Sequence, residues 1–201
     1  MKDQTASIQA RLRNLAINQN KDFTLLIRLY MQEGVLKRLT VSHYADSFFL
    51  KGGLLLYSLS GFAGRPTKGI DSLGKNVNND PDNLKQIMKE IPSINTEYCL
   101  SFIMDEFFQE QITEGADYHG QRIKIPCFLG NIKTMLTIDI GFEDIIYPEP
   151  IKFDYPTLLE AEPFKINSYT LESIVSEKFE AMIILDDVLI SILKLSDEIC
   201  L

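Results

Sequence analysis

The feature that most restricts the fold is a change of period along the chain. Residues 5–18 repeat apolar side chains at helical spacing (Ile8, Leu12, Leu15, Ala16), and a second helical stripe from Asp22 carries Phe23, Leu26, Ile27, Tyr30 and Met31. From Phe48 the pattern shortens. FFLKGG reads as a buried strand or turn, LLLYSLSGF as the helix that follows it, and GIDSLG as another strand. NNDPDNLKQIMKEI opens on Asp80-Pro81, a good helix start, with Leu84, Ile87, Met88 and Ile91 on one face. Three strands then come in a row, over Tyr98–Ile112, Gln121–Leu129 and Thr134–Phe142, with turns at GADYHG and GN. Mixed elements followed by consecutive strands predict an α+β fold, a mixed sheet with helices at both ends, and not a doubly wound one.

The rest of the chain is assigned by punctuation. IIYPEPIKFDYP reads as a proline-rich connection, and SYTLESIVSEKFEAMIILDD returns to helical spacing, with Ser168 or Thr170 as its cap. The expected division is a helical segment over 1–46, a core over 47–150 and a C-terminal helical segment over 151–201. Gly34 falls inside the second helix, where it costs about 1 kcal/mol relative to alanine, and the sequence offers no reason for it.

Bulk properties exclude several classes. Apolar residues make up 45% and charged residues 24% of the chain, as in ordinary globular proteins. A formal net charge of −8 argues against a large basic footprint for nucleic acid, though not against a local one. The start of the chain has no apolar leader and no stretch is long enough to span a bilayer, so a cytoplasmic location and no membrane partner are expected. Cys99, Cys127 and Cys200 are odd in number and far apart, which indicates buried thiols and neither a disulfide framework nor zinc. His43 and His119 have no companion ligand nearby, and Ser58 and Ser60 lack a nucleophile-elbow pattern.

Strand alternation selects the polar candidates. In TIDIGF, Thr137, Asp139 and Gly141 share one side; in GIDSL, Gly69 and Asp71 share one side, opposite Ile70. If the two strands are neighbours, Asp71 and Asp139 can hold one divalent cation such as Mg²⁺, which favours carboxylate and phosphate oxygens. If they are not, each is a solvated carboxylate at a strand end. Lys51-Gly52-Gly53 before a helix is either a plain strand-to-helix turn or a phosphate cradle, in which glycines admit close backbone approach and the helix terminus presents free N–H groups. Arg122 and Lys124, in QRIK, give a small basic strand face that is either solvated or available to an RNA phosphate.

Taken in order, FLKGGLLL, RPTKGID, LTIDIGF and SEKFEAM resemble the AbiEii-type toxin nucleotidyltransferases, a branch of the polymerase-β-like nucleotidyltransferase superfamily, over about Leu25 to Asp187. The resemblance implies Mg²⁺-dependent transfer of a nucleotide from a nucleoside triphosphate to an acceptor such as the end of a tRNA, and a separately encoded antitoxin as partner. It assigns Lys51, Gly52, Gly53, Arg65 and Thr67 to the nucleotide, Asp71 and Asp139 to metal and catalysis, and Lys178 to the triphosphate. Without it, Lys178 reads as a solvated helix lysine paired with Glu177 or Glu180.

Three departures from the family pattern stand out. Gly69 occupies the position of the first aspartate of an Asp-Ile-Asp triplet, which leaves two expected metal carboxylates in place of three. Asp80, Asp82, Glu143 and Asp144 are the candidates to replace it. Leu54 stands where a phosphate-loop hydroxyl is common, a loss of about 1 kcal/mol in triphosphate binding if that hydroxyl would have donated. The end, DDVLISILKLSDEICL, lacks a further Lys-Asp helix and reads as truncated or frame-shifted, with Lys194 and Asp197 as distant echoes. Impaired transfer is therefore expected, and the alternative is an inactive remnant that binds nucleotide or a partner protein.

Overall fold

The computed structural model describes residues 2–64, 66–114, 118–142, 146–159, 162–180 and 182–183. Two helices come first, α1 (Lys2–Gln19) and α2 (Phe23–Thr40), the second capped by Asp22, whose Oδ1 accepts from Leu25 N at 2.9 Å. Leu12, Leu26 and Met31 are completely buried. Gly34 now has its reason. A Cβ there would run into Leu100 Cδ1 and stand 3.2 Å from Tyr98 Cβ, so α2 carries a glycine where the 98–100 segment crosses it.

The sheet is built from β1 (Phe48–Lys51), β2 (Gly69–Gly74), β3 (Ser101–Phe102), β4 (Phe108–Glu114), β5 (Tyr118–Leu129), β6 (Ile132–Gly141), β7 (Ile151–Tyr155) and β8 (Phe164–Ser168). Its order is β3-β5-β6-β2-β1-β8-β7, with β4 also on β5. The pairs β2/β6 and β1/β8 are parallel and the others antiparallel, which makes the expected α+β mixed sheet. Two helices interrupt the first strands, α3 (Gly52–Leu59) and α4 (Pro81–Ser93). Asp80 caps α4 through Asn83 N at 3.1 Å, and Leu84, Ile87, Met88 and Ile91 are buried, as the apolar stripe predicts.

One face of the sheet is covered. Val35, Leu36 and Leu39 of α2 and Met88 and Ile91 of α4 meet Leu50, Ile70, Ile138 and Ile166 across a single apolar interior. Because side chains alternate, Asp71 and Asp139 are turned to the other side.

Two parts of the expected layout change. Ile151–Tyr155 and Phe164–Ser168, expected within a connection and the start of a helical segment, form the antiparallel pair β7/β8, joined to β1 through Leu50 and Ser168. The prolines at 148, 150, 156 and 163 lie outside both strands and bound them, and Tyr155 stacks on Phe164 with ring centroids 5.1 Å apart. The long strand expected from Tyr98 is split into β3 and β4 by a 3₁₀ turn at Met104–Glu106. A further helix, α5, covers 171–180 and is capped by Thr170, whose Oγ1 accepts from Ser173 N at 3.2 Å, while Ser168 sits inside β8. No described helix is long and apolar enough to cross a membrane.

Candidate functional site

The site starts from a register. β2 and β6 run parallel with Gly69 opposite Thr137, Ile70 opposite Ile138 and Asp71 opposite Asp139. Residues in register on parallel neighbours project to the same side, so the two carboxylates share the uncovered face while Ile70 and Ile138 enter the core. β1 lies on the far side of β2 and places Lys51 opposite Asp71.

The glycine pair is shaped around Asp71. Gly52 has φ +63°, and a Cβ there would stand 2.5 Å from Asp71 Oδ2, so both the backbone angle and the close approach require glycine. Gly53 N donates to Asp71 Oδ2 at 3.3 Å, and α3 begins at this turn. Burial pushes the Asp71 carboxyl above the ordinary range, and the charge of Asp139 adds to the rise. The Gly53 amide and the charges of Lys51 and Lys178 act in the opposite direction.

The other predicted residues separate into near and far. Lys51 is buried, forms an ion pair with Glu177 and lies 5.5 Å from the centroid of Tyr169. Glu177, one of the two partners considered for Lys178, pairs with Lys51. Lys178 is exposed on α5, within electrostatic reach of Asp71. Thr67 borders the turn: a Cβ on Gly53 would stand 3.3 Å from its Oγ1. Arg65 lies outside the described residues, as do Glu143, Asp144, Lys194 and Asp197. Leu54 is wholly buried, so its side chain belongs to the core and not to the phosphate loop. Asp80 is occupied as a helix cap, and among the described residues no three His, Cys, Asp or Glu side chains gather as a metal cluster.

Gly69 is a different kind of glycine. A Cβ there would stand 3.4 Å from the Thr137 carbonyl oxygen, an ordinary contact, so the backbone at 69 accepts a side chain on the face that carries Asp71.

The structure adds one principal residue. Arg122 on β5 is the register partner of Asp139, and its guanidinium forks onto that carboxylate, Nε to Oδ1 and Nη2 to Oδ2, both at 2.8 Å. The bond to Asp139 raises the Arg122 pKa further. Glu110 on β4 stands 3.9 Å from Arg122 Nη1 and 3.3 Å from Lys124 Nζ, and Lys124 lies 5.2 Å from the centroid of Phe108. The signal in the sequence was the QRIK alternation, which puts Arg122 and Lys124 on one side of their strand. Only the β5/β6 register shows that this is the side of Asp139.

Carboxylates on adjacent strands of a mixed sheet, beside a glycine turn that opens a helix, can offer oxygens to a hard cation and backbone N–H groups to a phosphate. Residues 34–188 match the family model described as the nucleotidyl transferase AbiEii toxin of type IV toxin–antitoxin systems. The chain belongs to that family.

Among solved structures, JHP933 from Helicobacter pylori is 14% identical, with a TM-score of 0.46, over 78% of this chain and 56% of that one. A second H. pylori structure, provisionally assigned as a nucleotidyltransferase, is likewise 14% identical with a TM-score of 0.46, over 78% of this chain and 58% of its own. The chain thus spans a little over half the length of either. No curated protein matches the chain by sequence.

Proposed function

We propose that the chain acts in nucleotidyl transfer, moving a nucleotide from a nucleoside triphosphate to an RNA acceptor such as a tRNA end, in the cytoplasm and under the control of an antitoxin. The observation that carries this is the parallel register of Asp71 and Asp139 on the uncovered face, next to the Gly52-Gly53 turn. Family membership gives the reaction class its context.

The residues fit one hard cation such as Mg²⁺ better than two. Asp71 and Asp139 supply anionic oxygens on one face, and Gly69 supplies none. When bound, such an ion neutralises charge on the transferring phosphate and its leaving group. The chain's own part is positional. The Gly53 amide holds Asp71, Lys51 ties the turn to α5 through Glu177, and Lys178 places a positive charge toward the same corner. Thr67 borders the glycine turn, where the triphosphate would lie.

Gly69 also supports a second reading, a protein that binds nucleotide or a partner with little turnover. Loss of a member of a catalytic group costs on the order of 10³-fold or more in rate. Transfer of label from a nucleoside triphosphate to RNA, with Mg²⁺ present, is expected to be weak for the unmodified chain, stronger for Gly69→Asp and absent for Asp71→Asn. Equal transfer by the unmodified chain and Gly69→Asp would show that Gly69 is no lesion. Persistence of transfer in Asp71→Asn would sink the assignment of the site.

A further inference from the structure

Resting on the site proposed above, we infer that Arg122 competes with the divalent cation for Asp139 and, once displaced, binds the triphosphate. Both oxygens of Asp139 are engaged by the Arg122 fork at 2.8 Å, so the carboxylate that a cation needs is already matched to a positive charge. The pair is not locked in. Asp139 and Arg122 side chains keep 24% and 38% of their surface exposed, which leaves the bond open to exchange.

A second anion gives the displaced guanidinium somewhere to rest. Glu110 Oε1 lies 3.9 Å from Arg122 Nη1 on the opposite side from Asp139, because β4 and β6 flank β5 with Glu110, Arg122 and Asp139 in one cross-strand row. Arg122 thus stands between two carboxylates, with Asp71 one strand further on. A cation arriving on Asp71 and Asp139 removes the partner of Arg122, while triphosphate oxygens carried by that cation offer a better one. An arginine fork suits phosphate as well as carboxylate.

The test measures binding and not turnover. Mn²⁺ affinity, from the electron paramagnetic resonance signal of free ion, and affinity for a nonhydrolysable triphosphate at saturating Mn²⁺ are compared for the unmodified chain, Arg122→Gln, Arg122→Lys and Asp71→Asn. Arg122→Gln is expected to bind Mn²⁺ alone about 3- to 10-fold more tightly, as a part-exposed ion pair of this kind is released. It is expected to bind the triphosphate several-fold more weakly, with Arg122→Lys between the two in both respects. Opposite shifts are the signature, since a merely structural role moves both the same way or neither. Unchanged or weaker Mn²⁺ binding in Arg122→Gln, with Asp71→Asn weakening it, overturns the competition and leaves the metal site standing. Absence of Mn²⁺ binding in every form, with or without triphosphate, overturns both. Arg122→Lys keeps the charge on an exposed strand face and serves if the glutamine variant is poorly folded.

Discussion

The two faces of the sheet handle charge in opposite ways. On the uncovered face Asp71, Asp139, Arg122 and Glu110 form a cross-strand row, with Lys124 in the next row reaching Glu110, and its ion pairs retain contact with water. On the covered side α2 buries Glu33 at 1% exposure and Arg38 at 3%, each satisfied by fixed partners. Glu33 accepts from the Tyr98 hydroxyl and from Leu158 N at 3.0 Å, while Arg38 donates to the carbonyls of Gly34, Tyr98 and Ile94. Exposed ion pairs contribute little to stability and exchange partners readily; a buried ionisable side chain is costly to strip of its hydrogen bonds. The uncovered row is therefore suited to binding and the α2 cluster to holding the 94–98 and 158 segments in place.

Substitutions on the two faces should differ accordingly, and the largest effect belongs to the interior. Leu54→Ala should lower stability by about 2 to 5 kcal/mol, measured by denaturant unfolding. Leu54→Thr should also destabilise without tightening triphosphate binding, because position 54 faces the core. Tighter binding in Leu54→Thr would return that residue to the site.

Glu33 gives the next effect, and it depends on pH. Burial raises its pKa from the ordinary 4.5 to about 7 in the folded chain. Below 4.5 both states hold the proton; between 4.5 and 7 the folded state keeps it while the unfolded chain releases it. The contribution of Glu33 is thus complete below the ordinary carboxylate pKa and is lost as pH rises through the folded value, a fall of about 3 kcal/mol. Thermal melts of Glu33→Gln across that window should show a flatter profile than the unmodified chain; parallel profiles would remove Glu33 as the titrating group.

Gly52→Ala should cost about 1 to 2 kcal/mol from its left-handed backbone alone, with a further loss as Asp71 is pushed aside. Its mark is that Mn²⁺ binding falls along with stability. The smallest change is expected for Arg122→Gln, under about 1 kcal/mol in stability despite its two hydrogen bonds, since the pair is partly exposed. A loss as large as that of Leu54→Ala would mean that the uncovered face is structural after all.

Much of this comparison was legible in the sequence. Period-two alternation put Asp71 and Asp139 on the sides of their strands opposite Ile70 and Ile138, and Asp80-Pro81 marked the start of α4. What failed was the reading of proline-rich stretches. Prolines at 148, 150 and 156 suggested a connection, yet they lie outside the strands they bound, and five-residue segments such as IKFDY and FKINS give too short a pattern to declare themselves. Gly34 was unreadable for another reason: the contact that requires it comes from Tyr98 and Leu100, more than sixty residues away.

The sequence by itself determined which residues share a side along the strands it revealed, because strand period acts over a few residues. Which strands became neighbours was decided by tertiary structure alone. The β2/β6 register set Asp71 beside Asp139, and β5/β6 pairing laid Arg122 across Asp139. Strand pairing satisfies backbone hydrogen bonds that are alike for every residue, so register is fixed by packing of the whole sheet on α2 and α4 and leaves no mark in any one segment.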